Sequence, residues 1–404
     1  MTEDIFKPAD ILLPDKTPFE TWSVIACDQF SSEREYWERV RETVGGAPST
    51  LNMIIPEAYL DEIKGERETD SICAAMDEYI RCGLLREITD SFIYVERTLQ
   101  DGRIRHGLIG TVDLEEYSFS GGKASILASE GTVLERLPAR VGVRRVARLE
   151  LPHIIAFIDD KEEVVIEPLT VIADKLPSLY DFDLMEGGGH IRGMQVCGRN
   201  ADNVIAALGA LGNDNKPFMV MGDGNHSLAA AKVYWDELKA GLGNLERESH
   251  PARRALVEIN NVYDPAISIE AIHRVVFDTD PDGLLSALEN ALPEGADYTL
   301  QWISNGRNGT IGVRASCIGD MLAVMQNVLD EYVAVTGCRI DYIHGEDSAR
   351  RLAEGERCLG ILLPAMDKPE LFATVAGGRV FPKKSFSVGH ARDKRYYLEC
   401  REIK

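Results

Sequence analysis

The sequence is short of cationic charge, of paired cysteines and of long apolar runs, and each shortage removes a class of function. Lysine and arginine total 44 against 66 acids, for a net charge of −22. Proteins that grip a phosphate backbone usually present a basic surface, so nucleic acid is not an expected partner. The eight cysteines are scattered over 404 residues and no two stand as CxxC, which argues against zinc ribbons and dithiol redox motifs. No run approaches the roughly 20 apolar residues of a membrane span, and no membrane partner is expected. The opening MTEDIFKPADILLP has acids early and no basic region ahead of an apolar run. The expectation is a chain without a secretory signal, with reduced thiols, in the cytoplasm. HExxH, the EF-hand loop and the P-loop spacing GxxxxGK[ST] are missing as well.

What is present reads as an ordinary globular chain, 45% hydrophobic and 27% charged. At about 150 residues per domain the length allows two or three domains. Strand and helix patterns alternate, which predicts an α/β class (mixed α+β) with parallel and antiparallel pairing. SFIYVERTL and HGLIGTVDL flank DGR, a hairpin between Phe92 and Leu114. Trp22–Ala26 and VVIEPLT (164–170) read as strands, and DFDLMEGGGHIRGMQV (181–196) as a loop because of its three consecutive glycines. TDPDG at 279–283 breaks the pattern. The division expected is a core over 1–280 carrying the site, with 281–404 packing back on it.

The strongest local signal is MGDGNHSLAAAK, Met221 to Lys232. An apolar strand ends in Gly222-Asp223-Gly224, and a helix begins at Asn225, His226 and Ser227. Glycines let backbone approach a ligand closely, and a helix start offers amide donors and partial positive charge to an anion. Asp223 and His226 add an acid/base pair at the same spot and are the candidate catalytic residues. Upstream, SEGTVLERLPARVGVRRVAR collects Arg136, Arg140, Arg144, Arg145 and Arg148 in an otherwise acidic protein. Guanidinium forks suit phosphate and carboxylate. Arg136 and Arg140, with Lys383 and Lys384 near the C-terminus, are candidates to hold an anionic cofactor beside Gly222, Gly224, Asn225 and Ser227. Glu130, Thr132, His190, His273 and Arg274 are candidates to bind substrate. No ligand spacing identifies a metal, and a Mg²⁺ shared between carboxylates and a nucleotide leaves none.

GDGNHSLAAAK followed by NNVYD and AIHRVV resembles the bacterial and archaeal family called domain of unknown function 1015. WSVIACDQF, RHGLIGTVDLEEY, SEGTVLERLPARV, ELPHIIAFIDD, YIHGE and FPKKSFSVGH match in the same order, over nearly the whole chain. Two positions depart from the commoner DGHHRY-type motif: Asn225 stands for a histidine and Ser227 for an arginine. The motif is in turn similar to the strand–turn–helix of the ParB/sulfiredoxin-like superfamily, which includes free-serine kinases and binds nucleotide phosphates there. The resemblance implies a strand–turn–helix core with Gly222 to Ser227 as phosphate cradle. Asp223 would be its base or metal-associated acid, and His226 a phosphate contact. It implies a nucleotide (ADP or ATP, with Mg²⁺) and phosphotransfer to a small anionic or hydroxyl metabolite such as serine. A non-catalytic nucleotide sensor and a phosphatase of a phosphorylated metabolite are the alternatives. Peroxide repair is disfavoured because no cysteine lies in the motif.

Overall fold

The hairpin expected between Phe92 and Leu114 is the spine of the largest sheet. The computed structural model describes residues 4–62, 66–132, 134, 137–211 and 217–404. Strands Leu85–Thr98 and Ile104–Asp113 pair antiparallel around the DGR turn. Among the described residues the order from one edge is Ser178–Asp183, His190–Val196, Leu85–Thr98, Ile104–Asp113, Arg254–Asn261, Ile155–Ile158, Met219–Asp223, Ile126–Leu127 and Tyr117–Ser118. Arg254–Asn261 runs parallel to Ile155–Ile158, and Met219–Asp223 parallel to Ile126–Leu127; Ile155–Ile158 and Met219–Asp223 pair antiparallel. The mixed α/β class is therefore what the chain adopts.

Alternation along the spine sends side chains to opposite faces. Phe92 and Tyr94 enter one core with helices Arg199–Ala210 and Asn225–Lys239, while Ile93 and Val95 enter another under Arg34–Val44 and Glu66–Arg81. The second sheet is antiparallel and contains Arg307–Val313, Glu294–Ser304, Cys358–Leu362, Ile269–Phe277 and Arg339–His344 in that order. A third core joins the sheets: Leu127, Phe157 and Val220 of the first pack with Val276, Leu322 and Phe381 of the second part.

Strand Ile269–Phe277, ahead of the boundary expected at 280, already belongs to the second sheet. The last residues return to earlier parts of the chain in two further two-stranded sheets: Tyr396–Tyr397 pairs with Val24–Ile25, and Arg401–Glu402 with Leu149–Glu150. Buried Arg395 bonds Glu258 at 2.9 Å and Glu399 at 2.7 Å, tying this strap down.

Three local readings change. VVIEPLT enters a helix, Glu167–Ile172. Its β-branched run resembles a strand, but Pro168 stands in the first turn, where a missing N–H costs nothing, and the Asp160 carboxylate accepts the Val165 N–H at 2.8 Å just ahead of it. Residues 181–196 are not a loop but the end of Ser178–Asp183 and all of His190–Val196, paired antiparallel. The three glycines crowd into the turn, and Gly193 lies under the Tyr180 ring, which a Cβ would meet at 2.1 Å. Trp22 closes a short helix, Phe19–Trp22, and only Val24–Ile25 is strand.

Candidate functional site

Met219–Asp223 leads through Gly224 into the motif helix Asn225–Lys239. Gly224 has φ +75°, and a Cβ there would lie 3.0 Å from the Ile154 backbone. The turn therefore needs glycine twice over, for its left-handed backbone and for its contact with the neighbouring chain. No side chain caps the helix. Its first turn offers amide donors and the positive end of a 15-residue dipole. Asp223 turns back, accepting the Gly224 N–H at 2.8 Å and the Lys394 ammonium at 3.0 Å. Burial works against the ionised carboxyl, but Lys394 and, more weakly, His153 outweigh it and hold its pKa below the usual carboxylate range. The Asp223 and Lys394 side chains keep 21% and 12% exposure, so both remain within reach of a ligand.

Glu130 faces this pair from the junction of the two sheets. Ser129–Gly131 runs beside Phe381, with Phe381 N–H donating to the Ser129 carbonyl at 2.7 Å and Gly131 N–H to Phe381 at 3.1 Å. The chain then turns at Lys384, whose φ is +57°. That turn directs the Lys384 and Ser385 amides to the Glu130 carboxylate at 3.4 and 3.3 Å. Burial pushes the Glu130 carboxyl up to about 7; these amides oppose the shift and the Asp223 charge adds to it. Buried Arg274 pins the turn from behind, donating to the Lys384 carbonyl at 2.7 Å and stacking over Tyr342. The Lys384 ammonium also lies over this ring, 5.2 Å from the Tyr342 ring centre.

The remaining polar groups close one side. Asn225 Nδ2 donates to Ser129 Oγ at 3.3 Å, and Ser227 Oγ lies 3.2 Å from His153 Nε2. Asn225 Oδ1, Thr132 Oγ1 and one Arg274 nitrogen are buried without a hydrogen-bond partner. Such atoms occur elsewhere among the described residues too; of these three, Asn225 opens the motif helix, Thr132 follows Glu130 by two residues and Arg274 holds the Lys384 turn. No group of three His, Cys, Asp or Glu side chains that could hold a metal occurs among the described residues.

Asp223, Asn225, Ser227, Glu130, Thr132, Arg274 and Lys384 are thus brought together, with half-buried His226 in the same first helical turn. Lys383 is exposed beside Lys384. His273 points to the other face of its strand from Arg274, where its Nδ1 accepts the Leu363 N–H at 3.1 Å; burial lowers its pKa. His190 lies five strands along the sheet from Met219–Asp223, roughly 24 Å at the usual strand spacing. It sits between Asp183 and Asp181 at 2.7 Å each. Arg140 pairs with Glu57 and Arg144 with Glu150. Arg136 lies outside the described residues. The reading from sequence passed over Lys394 and His153. Lys394 stood in the basic tail HARDKRYYLE, and His153 opened the apolar run HIIAFIDD, but nothing local tied either to a turn some 70 or 170 residues away.

A mixed α/β protein with an acid–lysine cluster between its sheets, at an uncapped helix start, is the class that fold and site define. The chain belongs to the DUF1015 family of proteins of unknown function, whose sequence pattern matches residues 7–381. No curated protein matches it. Among solved structures, a conserved hypothetical protein from Pyrococcus furiosus aligns with TM-score 0.37 and 12% identity, covering 73% of this chain and 94% of that one. A free serine kinase in complex with AMP aligns with TM-score 0.39 and 12% identity, covering 73% and 90%. SbnI with a C-terminal truncation, from Staphylococcus aureus, gives 0.39 and 8%, covering 70% and 82%. Likenesses this slight carry no argument about the site. Among the described residues no helix is long and apolar enough to cross a membrane.

Proposed function

We propose that this protein is a nucleotide-dependent phosphotransferase acting on a small hydroxyl-bearing metabolite of the serine type. The observation that carries this reading is a pair of carboxylates shifted in opposite directions. Lys394 holds the Asp223 carboxyl below the usual carboxylate range, and burial brings the Glu130 carboxyl to titrate at about 7. A general base works best with a pKa near the operating pH, so Glu130 is the proton acceptor, and Asp223 orients Lys394 and the turn. The motif-helix amides, Lys394 and Lys384 bind the phosphates of ADP or ATP, which is consumed as a substrate. As the acceptor oxygen bonds to phosphorus, its proton passes to Glu130. The bridging P–O bond breaks, and its electron pair leaves on the shortened nucleotide. Mg²⁺ accompanying the nucleotide would be held by Asp223 and would neutralise charge on the transferred group.

The test is incubation with ATP, ADP or CTP, Mg²⁺ and L-serine, followed by phosphorus NMR and thermal melting. A new phosphomonoester and a nucleotide-dependent rise in Tm are expected. Absence of both with every nucleotide overturns the reading. Phosphate released from phosphoserine without nucleotide converts it to the phosphatase alternative.

A further inference from the structure

Beside the first turn of the motif helix lies a cavity of about 430 Å³, within the size range of small-molecule sites. Its walls are mostly aliphatic: Met53, Ile55, Met76, Val143, Leu149 and Leu256. The carboxylates and guanidiniums that reach it are already matched, Glu57 with Arg140 and Glu150 with Arg144. Each of these charges is already met by its partner, which disfavours a highly polar guest. One end differs. Ser227 and His153 line it, hydrogen-bonded to each other, with the edge of His153 against the Tyr397 ring at 5.2 Å. Ser227 lies in the first turn of the helix that Asp223 and Gly224 lead into, and His153 beside it acts electrostatically on Asp223. The polar end therefore adjoins the groups of the reaction, and the apolar body extends away from them.

Serine would reach the polar end and be a small acceptor there, but it leaves most of this space unfilled and gives the aliphatic walls nothing to bury. We propose that the cavity takes the apolar body of the acceptor, so that the acceptor is an alcohol with an aliphatic or aromatic portion whose hydroxyl end lies at Ser227 and His153. Short Ser227 keeps the passage open; a long side chain there would project into it. Calling the guest an acceptor rests on the phosphotransfer reading, whereas its binding does not.

Calorimetry without nucleotide, using ethanol, butan-1-ol, hexan-1-ol and L-serine as probes, separates the two. Each added methylene should raise affinity about fourfold, so hexan-1-ol should bind on the order of a hundredfold more tightly than ethanol. Ala139, exposed on the cavity rim, tolerates a large residue, and Ala139→Trp should remove at least ten-fold of hexan-1-ol affinity while the protein still melts cooperatively. Ile55→Trp, at another lining residue, should do the same. A flat chain-length series, tighter binding of L-serine, or unchanged hexan-1-ol affinity in both folded variants overturns the proposal. Binding of hexan-1-ol with no phosphorylation of any alcohol overturns the reaction and leaves the cavity's occupant standing.

Discussion

Two regions of this protein concentrate cations, and they use them differently. On the arginine helix, Leu137–Val146, every described guanidinium has a carboxylate: Arg140 with Glu57, Arg144 with Glu150 and Arg145 with Glu237. Around the motif helix, Lys394 faces Asp223, Lys384 rests on an aromatic ring, and buried polar atoms of Asn225 and Thr132 have no partner. In the first region each guanidinium is matched to an acid of the fold, although the buried Arg144 Nε lacks a partner. In the second, cations and carboxylates from distant parts of the chain meet at a helix start that no side chain caps. A count of basic residues points to the first region; the free capacity lies in the second.

The contrast breaks most sharply at Glu130. Replacing Glu130 by Gln should cut the phosphotransfer rate about 10²–10⁴-fold, the usual worth of a general base, with nucleotide binding retained. Its folded pKa, about 7, lies above the ordinary 4.5, so folding penalises the ionised form, and stability drops as pH rises through that window. Glutamine escapes the penalty, and the variant should melt no lower than the parent at pH 8. A full rate with Gln at this position removes Glu130 from the chemistry.

Glu150 should behave in the opposite way. It is buried between Arg144 and Arg401, and although burial opposes its charge these cations hold its pKa down. Glu150→Ala strands two buried cations and should cost about 3–5 kcal/mol in denaturant unfolding. Nucleotide affinity of the folded fraction should be unaltered; a selective loss of affinity would mean that the arginine helix belongs to the site.

Lys394→Met should weaken nucleotide binding about 10–100-fold, the range for one charged hydrogen bond, read by calorimetry. A smaller displacement is expected from Asp223→Asn. The reaction requires ionised Glu130, so kcat/KM of the parent should rise with pH through about 7. The Asp223 charge raises the Glu130 pKa, and its removal should move the Glu130 titration, followed by its infrared carboxyl band, to lower pH. An upward move would contradict the proximity on which the site is built. The smallest effect belongs to Arg145→Ala, which breaks an exposed pair with Glu237. It should change stability by less than about 1 kcal/mol and nucleotide affinity not at all.

Much of this was readable because it is local. The strand–turn–helix at 219–239 follows from an apolar run, a left-handed glycine and a helix start within a few residues of one another. The hairpin at 85–113 follows from period-2 alternation around DGR. The misread segments are those whose partners the periodic pattern does not show: the Asp160 carboxylate takes the Val165 N–H ahead of the helix after VVI, and the Tyr180 ring covers Gly193 within its strand. His190 and Arg192 resemble a site in sequence, yet their charges are met by Asp181, Asp183, Asp174 and Glu96 across and beside the edge strands.

By itself the sequence determined the class of fold, the family and the turn at Gly222–Ser227, since each depends on residue type and spacing along one short stretch. Only the tertiary structure decided which charges remain available there. Pairing arginines with acids, setting Lys394 against Asp223, and burying Glu130 under the Lys384 turn all join residues between 6 and 254 positions apart. Coulomb and desolvation energies depend on distance and burial in space, and neither is written in the order of the chain.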